Sequence, residues 1–431
     1  MIYDIGTIAI VIFAALAWGA NEPWAMALIS ISAIALFSVK LISGLWRGNL
    51  GSFRFNIFLP LFLLLLFAGL QAVNLVSEPP SGEISLPYTI ERHSTLLYLI
   101  LAAGYVCIML LTVSGFRSRK RLKLLLYAVL VLGIFEGIYG LVQYLGGYPY
   151  IWGYRVPGGI AQGTLINRNH YALLLNLCIC CGVGVLYYRS ASILKGRDLS
   201  LRRVLSTPGS AQLAWLLLWP VLMGVALVFS MSRMGIMALL CCITLMVLMG
   251  KTSTGKRRVT VFGIALIGLV LTLVVYAGID AVLARYEAIT ETGYIEKDRL
   301  PIWRDAWEMI DGHLILGRGL GTFQWSFPAY ERLEPDVPAK YAHNDYLQAL
   351  AEVGVVGLAL LVWTFLVAWR IAVRNLRQSD DPLARGIGLA LIGALTATAL
   401  QEITDFSLYI PATALLLAVL MGMNVRAGTH D

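Results

Sequence analysis

Residues 346–369 have the sequence YLQALAEVGVVGLALLVWTFLVAW, an apolar stretch with its polar side chains near the start. At 1.5 Å of rise per residue, about twenty apolar residues in a helix match the roughly 30 Å hydrocarbon thickness of a bilayer. Runs of this length recur along the chain, which is 58% apolar and 13% charged with a mean hydropathy of +0.76. These values predict a helical membrane protein rather than a soluble globular domain.

The repeated apolar runs predict an all-α, polytopic membrane protein of about twelve transmembrane helices with one long periplasmic loop. The predicted domains are transmembrane helices 1–9 in residues 1–280, a periplasmic loop with short helices in 281–345, and transmembrane helices 10–12 in 346–431. The first run has no basic start and no obvious cleavage site, so we expect a retained helix rather than a signal peptide. The predicted spans are 5–20, 24–43, 56–76, 95–115, 124–145, 169–188, 211–229, 234–250, 259–280, 346–369, 386–404 and 411–425.

The distribution of basic residues predicts the orientation. With a cytoplasmic N-terminus, 22 of the 33 lysines and arginines fall on the cytoplasmic side, most of them in short loops beside helix ends. The positive-inside rule therefore predicts a multi-pass membrane protein with both termini in the cytoplasm. The net charge of +8 follows from this topology, so membrane lipids rather than nucleic acid are the expected partners.

The basic residues predicted to lie outside are mostly arginines. A guanidinium forms two parallel hydrogen bonds with phosphate oxygens, so this bias suggests an anionic ligand such as a diphosphate at the membrane surface. Pairing with nearby carboxylates, such as Asp305 and Glu308, is the alternative for any one of them. The outer residues are Arg92, Arg155, Arg168, Arg233, Arg285, Lys297, Arg299, Arg304, Arg318, Arg332 and Lys340.

Arg233 lies in a short turn, Ser230–Gly235, between two apolar runs. A charge at that depth is expensive unless it is partnered or reaches the interface, so Arg233 is a candidate ligand contact. Glu136 and Glu402 fall within predicted spans. Each needs a partner, which could be one of the outer arginines.

Polar residues also cluster where the sixth predicted span begins. Asn167, Arg168, Asn169 and His170 stand together at a predicted helix N-terminus, where free N–H groups and the helix dipole favour an anion. Helix capping would explain either asparagine, but it would not require Arg168 and His170.

The start of the tenth predicted span is the most informative stretch. Asn344 or Asp345 can cap the helix, and Asp345, Gln348 and Glu352 recur with spacings that form one polar stripe into the membrane. Two glycines that follow, Gly354 and Gly357, are expected to allow close helix packing.

His343 lies at the mouth of this stripe. A neutral imidazole there is suited to act as a general base near neutral pH, although a lone interfacial histidine is more often structural.

The segment Arg299–Trp307 predicts the start of an amphipathic helix with two arginines and two tryptophans of the interfacial kind, and Gly317–Gly321 predicts a glycine-rich turn. That turn lacks the strand–helix context of a nucleotide loop. The outer residues provide no two-histidine or paired-aspartate ligand set, so we expect neither a metal nor another cofactor. The cysteines lie inside apolar runs and are expected to be free.

Several of these motifs together resemble the bacterial O-antigen ligase and O-antigen polymerase family. They are R-x-x-x-x-R-D-x-W from Arg299, the Gly317–Gly321 turn, His343 through Gly357, and G-T-x-x-N-R-N-H from Gly163. The resemblance extends to a closing E-x-x-D-F-x-x-x-x-P segment from Glu402, while the amino-terminal helices match only in hydropathy.

The resemblance implies a membrane-embedded, inverting glycosyltransferase that uses an undecaprenyl-diphosphate-linked glycan as donor and needs neither metal nor nucleotide. Carried over by position, His343 would activate an acceptor hydroxyl, while Arg233 and Arg304 or Arg299 would hold the donor diphosphate. Arg168 is a further donor-binding candidate. Supporting or acceptor-binding candidates are Asn344, Asp345, Gln348, Glu352, Asn167 and His170. The acceptor, which could be lipid A core, another lipid-linked glycan or a protein, stays open.

Two other classes of protein are compatible with parts of the sequence. Twelve spans with both termini inside also describe a transporter of an anionic solute, but the loop 46–54 lacks the expected charged signature and no two-fold repeat is evident. A non-catalytic scaffold for polysaccharide assembly would be favoured if histidine and arginine substitutions had no effect.

The predicted topology has a direct test. A reporter fused after Ser200 should behave as cytoplasmic, and one fused after Glu334 should behave as periplasmic, when phosphatase and fluorescence activities are compared in cells. The opposite pattern would contradict the orientation.

Overall fold

The computed structural model describes residues 1–48, 55–76, 86–156, 158–194, 209–250, 268, 299–332 and 339–428. The described regular structure consists of helices and one two-stranded antiparallel sheet. Seven helices are long and apolar enough to cross a membrane, and four shorter apolar helices accompany them. The prediction of an all-α polytopic membrane protein is confirmed. The predicted span 259–280, apart from residue 268, and the predicted loop residues 281–298 lie outside the described residues.

The described helices follow the predicted spans closely. The first predicted span, 5–20, is shorter as a helix because the chain turns through a 3-10 segment at Trp18–Ala20, where Gly19 has a φ of +75°. In chain order the helices are α1 (Ile2–Leu16), α2 (Pro23–Trp46), α3 (Phe55–Val73), α4 (Arg92–Gly115), α5 (Arg119–Leu145), α6 (Arg168–Leu194), α7 (Ser210–Phe229), α8 (Arg233–Met249), α9 (Leu300–Ile310), α10 (Phe323–Ser326), α11 (Asp345–Gln378), α12 (Pro382–Gln401) and α13 (Pro411–Ala427). The strands β1 (Tyr150–Ile151) and β2 (Tyr154–Arg155) form a hairpin after α5.

Helix α6 is the central element of the bundle. Its apolar window is entirely buried, and it packs most extensively against α12. A Cβ on Gly184 would lie 2.5 Å from the carbonyl oxygen of Gly386, and the reverse contact is equally short. Small residues therefore let the two backbones touch, as is common where membrane helices cross.

Two short helices, α9 and α10, pack over the start of α11 as a cap, which we define as residues 299–332. The apolar side chains that bury against one another there include Ala306, Met309, Phe323 and Phe327, together with Ala342 just before α11. Amphipathic α9 thus faces the protein with its apolar side, as the sequence predicts. The cap covers the start of α11, next to His343.

Helix α11 is interrupted at Gly354, which has φ +61° and ψ −169°. Carbonyl groups released by this break accept hydrogen bonds from the cap: the N–H of Arg318 donates to Ala351 O at 3.0 Å and that of Gly319 to Glu352 O at 2.9 Å. The N–H of Val355 in turn donates to Leu314 O at 2.8 Å. The prediction that Gly354 serves close helix packing is therefore wrong, because this glycine permits a break into which the 314–319 turn docks.

The opposite end of the bundle collects basic side chains, and we call it the basic end. There Arg119 pairs with Asp381 at 3.0 Å, and Arg121 pairs with buried Asp4 at 3.2 Å. The guanidinium of Arg426 donates to Arg117 O at 3.1 Å, so loops distant in sequence meet at this end.

We expect Gly354→Ala to destabilise the protein. A Cβ there would lie 2.3 Å from Ile315 O, and the backbone occupies a region that only glycine adopts readily, at about 1–3 kcal/mol for another residue. Thermal unfolding of the detergent-purified protein should show a lower Tm and a reduced folded yield. Gly69→Ala is the matched control, since a Cβ at Gly69 in α3 meets nothing within 4 Å. Equal Tm values for the two variants would contradict the docking role of Gly354.

Candidate functional site

His343 stands immediately before α11 and has an unusual backbone conformation. Its φ is +51°, in the left-handed region that a non-glycine residue adopts at a cost of about 1–3 kcal/mol. Hydrogen bonds on both sides fix this turn. The side chain of Asn344 caps α11 by accepting from the N–H of Leu347 at 3.0 Å, and the indole of Trp303 donates to Ala342 O at 2.9 Å.

The bond from Trp303 changes one sequence prediction. This tryptophan was expected to be an interfacial anchor, but its N–H is used inside the protein to hold the chain next to His343. Trp307 on the same helix is 56% exposed, which fits the predicted interfacial role.

The predicted polar stripe on α11 is present, and it is buried. Glu352 accepts from the N–H groups of Gly321 at 2.7 Å and Phe323 at 3.3 Å, and from the Tyr409 hydroxyl at 2.6 Å. Gln348 bridges the stripe to the turn, because its Nε2 donates to Glu352 at 3.2 Å while its Oε1 accepts from the N–H of Ala342 at 3.0 Å. Gln348 and Glu352 therefore connect helix α11 to the turn that contains His343.

The loop between α12 and α13 closes over the start of α11. The N–H of Asp345 donates to both Glu402 O and Asp405 O at 3.1 Å. The Asp345 and Glu402 carboxyl groups interact electrostatically in this buried position, and two carboxyl groups that share a buried site do not both ionise readily. Further N–H donors complete the pair, from Leu408 to Asp345 at 3.2 Å and from Ser407 to Glu402 at 2.7 Å.

Asp405 connects this loop to α6. Its Oδ1 lies 3.5 Å from Nε2 of His170, and it accepts from the N–H of Phe406 at 3.0 Å. Burial opposes ionisation of Asp405, but the charge and hydrogen bond of His170, with a smaller effect of the Arg299 charge, hold the pKa of Asp405 below its ordinary value. Asp405 is therefore an ionised, buried carboxylate.

The Phe406 ring contacts both of the predicted histidines. The ring centroid is 4.7 Å from that of His170 and 4.9 Å from that of His343, both in edge-on geometry. Tyr341 stacks on Phe406 with centroids 4.1 Å apart and an interplanar angle of 9°. We call Tyr341, His343, Phe406, Asp405 and His170 the histidine clamp.

The other predicted site residues are placed as follows. Asn167 caps α6 by accepting from the N–H of Asn169 at 2.8 Å, and Asn169 accepts from the Ser232 hydroxyl at 2.8 Å. The turn that bears Arg233 is thereby attached to the start of α6. Arg168 and Arg233 are half-buried beside this junction, Arg299 is half-buried at the start of α9, and Arg304 is exposed on α9.

The hypothesis that an arginine partners Glu136 or Glu402 is wrong for the described residues. Glu136 accepts from the N–H of Thr164 at 2.9 Å and from its hydroxyl at 2.6 Å, and Glu402 accepts from the N–H of Ser407 at 2.7 Å. The carboxylate-pairing alternative is correct for Arg332, which contacts Glu308 at 2.5 Å.

Sequence reasoning did not select Phe406, Tyr341 or Asp405 as site residues. The available signal was the E-x-x-D-F segment from Glu402, a polar interruption between two apolar runs. Among the described residues, no three His, Cys, Asp or Glu side chains are grouped as a metal ion would need.

Together, the helices and the clamp define a polytopic membrane protein with a buried acid–histidine site at the end of the bundle opposite the basic end. Residues 220–362 match a family model described as O-antigen ligase. This match supports, over that part of the chain, the resemblance to the O-antigen ligase and polymerase family that the sequence motifs indicate. The matched region contains Arg233, Arg299, Arg304 and His343. No curated protein matches the chain.

We expect Phe406→Ala to release His343. Loss of a buried ring costs about 3 kcal/mol, and the freed imidazole should react faster with diethylpyrocarbonate. Mass spectrometry of the peptide containing His343 measures that reaction. Phe62→Ala, which removes a 42% exposed ring on α3, should leave the His343 rate unchanged. Equal His343 rates in Phe406→Ala and the unaltered protein would contradict the clamp.

Proposed function

We propose that the chain is an inverting, metal-independent glycosyltransferase that moves an undecaprenyl-diphosphate-linked glycan to an acceptor sugar in cell-surface polysaccharide assembly. The acceptor is lipid A core for a ligase and another lipid-linked glycan for a polymerase. One observation carries the proposal: a strained His343 is held by Phe406 and by the Trp303–Ala342 hydrogen bond. Strain of this kind persists where the surroundings over-determine it, which is common at active sites.

In the proposed reaction, His343 is the general base. The imidazole accepts the proton of an acceptor hydroxyl as its oxygen bonds to the anomeric carbon of the donor. The bond from that carbon to the diphosphate oxygen breaks, and the electron pair leaves with the diphosphate. Attack from the side opposite the leaving group inverts the anomeric centre.

The leaving diphosphate needs positive charge, which arginines supply in this proposal. The Arg299 charge reaches the clamp, since it lowers the pKa of Asp405. The Ser232–Asn169 hydrogen bond fixes the Arg233 turn beside Arg168, so two guanidinium groups stand on adjoining elements. Arg304, exposed on α9, is the fourth proposed donor contact.

The remaining predicted residues act as supports. Asn344 and Asn167 cap helices, Gln348 and Glu352 hold the His343 turn, and His170 positions Phe406 through Asp405. We assign none of these side chains a direct role in bond making.

The proposal includes location and organisation. The chain would span the bacterial inner membrane with both termini in the cytoplasm and the His343 site facing the periplasm. Basic loops collect at the end opposite His343, as the positive-inside rule requires. The proposed division is residues 1–280 and 346–431 in the membrane, with 281–345 as the periplasmic loop.

The sharpest test is His343→Gly with added imidazole. Glycine adopts a positive φ without strain, so the fold should survive while transfer from a purified lipid-linked donor falls about 100-fold or more. Exogenous imidazole should restore part of the rate, with a dependence on the neutral form. A structural histidine would give no such rescue.

Two further variants complete this experiment. His343→Asn tolerates the left-handed backbone but provides no base, so it should be inactive and insensitive to imidazole. Arg233→Lys keeps the charge and loses the two-pronged contact, so most activity should be lost. Full transfer by His343→Asn would remove the base assignment, and solute uptake by proteoliposomes without transfer would favour the transporter.

A further inference from the structure

Arg318 is a buried cation within the Gly317–Gly321 turn. Its side chain is 7% exposed, its Nη2 donates to the Tyr330 hydroxyl, and its guanidinium carbon lies 5.0 Å from the centroid of the Tyr330 ring. Both backbone polar groups of Arg318 are hydrogen-bonded. The N–H of Arg318 donates to Ala351 O at 3.0 Å, and its carbonyl accepts from the N–H of Ile90 at 3.2 Å.

No carboxylate pairs with Arg318 among the described residues. Its Nε is buried and has no hydrogen-bond partner there. Arg332, which is also in the cap, differs in having carboxylate partners: its guanidinium contacts Glu308 at 2.5 Å and Asp305 at 3.9 Å. A buried charge without a counter-ion is costly, so a position of this kind is better explained if an anion arrives from outside.

The groups around Arg318 are neutral hydrogen-bonding partners. The Tyr88 hydroxyl lies 2.9 Å from Nδ1 of His313. Burial, followed by the Arg318 charge, lowers the pKa of His313, while burial raises the pKa of Tyr88 to about 12 against the opposing effect of Arg318. Among the described residues, therefore, Arg318 has a hydrogen bond and a ring contact with Tyr330 but no paired anion.

We propose that Arg318, with Tyr330 and His313, forms a subsite for an oxyanion, a phosphate or carboxylate carried by a glycan substrate. The guanidinium supplies the charge and a free N–H, and His313 and Tyr330 are only half-buried and form the rim.

The subsite is separate from the His343 centre. Arg318 is anchored to Ala351, six residues and about 9 Å beyond the first residue of α11, whereas His343 precedes that helix. Binding of an anion does not depend on the proposed transferase activity, whereas assigning that anion to a glycan rests on the proposed function.

The test measures the Tm of the full chain, purified in detergent, against increasing inorganic phosphate, sodium glucuronate and glucose at matched ionic strength. We expect phosphate or glucuronate to raise the Tm in a saturable way, and glucose to have no effect. Arg318→Gln should abolish the shift. Arg332→Gln, which removes an already paired arginine, should retain it.

Two variants keep the test decisive. Tyr330→Phe preserves the guanidinium and should weaken anion binding severalfold even if Arg318→Gln folds poorly. Arg233→Gln, at the proposed donor site, should retain the Arg318-dependent shift. An unchanged shift in both Arg318→Gln and Tyr330→Phe, or its complete loss in Arg233→Gln, would overturn the subsite.

The two probes distinguish the sources of the anion. A larger shift with phosphate indicates a phosphorylated glycan or glycolipid, and a larger shift with glucuronate indicates an acidic sugar. In the transfer assay, Arg318→Gln should raise KM for an anion-bearing substrate about tenfold with little change in kcat. If the purified chain transfers no glycan from a lipid-linked donor, the proposed function fails while Arg318-dependent anion binding still stands.

Discussion

The break in α11 at Gly354 is the constraint on which the rest of the site depends. An unbroken helix would satisfy its own carbonyl groups and leave no backbone acceptors for the cap. With the break, Ala351 and Glu352 present carbonyls to the 314–319 turn, and the Glu352 carboxylate accepts from Gly321 and Phe323. Backbone N–H and C=O groups left unpaired at membrane depth are costly. The hydrogen bonds between the cap and α11 therefore stabilise both segments.

The cap and the α12–α13 loop both make contacts that fix His343. Trp303 in the cap donates a hydrogen bond to the carbonyl of Ala342, and Phe406 in the loop packs edge-on against the His343 imidazole. The left-handed backbone of His343 is stable because both contacts are present together. The position of His343 is therefore a property of three separate segments rather than of the α11 terminus alone.

The sequence predicted features that depend on local pattern. Apolar runs of about twenty residues predicted the helices because length and hydropathy suffice to define a membrane span. The stripe of Asp345, Gln348 and Glu352 was visible because helical spacing places these residues on one face. The packing role expected for Gly354 was wrong, since a glycine in an apolar run has the same pattern whether it aids packing or permits a break.

Contacts between distant segments were beyond sequence reasoning. His170 and Asp405 lie on elements far apart in the chain, and nothing in either segment specifies the other. The role of Trp303 was missed for the same reason: a tryptophan on an amphipathic helix fits both a membrane interface and a buried hydrogen bond.

The charge balance around the clamp is consistent with a base at His343. Three ionised carboxylates beside an imidazole would favour its protonated form, which cannot accept a proton. Because Asp345 and Glu402 interact in one buried site, ionisation of both at once is disfavoured, while His170 and the Arg299 charge hold the pKa of Asp405 below its ordinary value. The acidic residues can thus fix the loop by hydrogen bonds without all three carboxyl groups being ionised together, and this arrangement is compatible with the proposed role of His343 as a base.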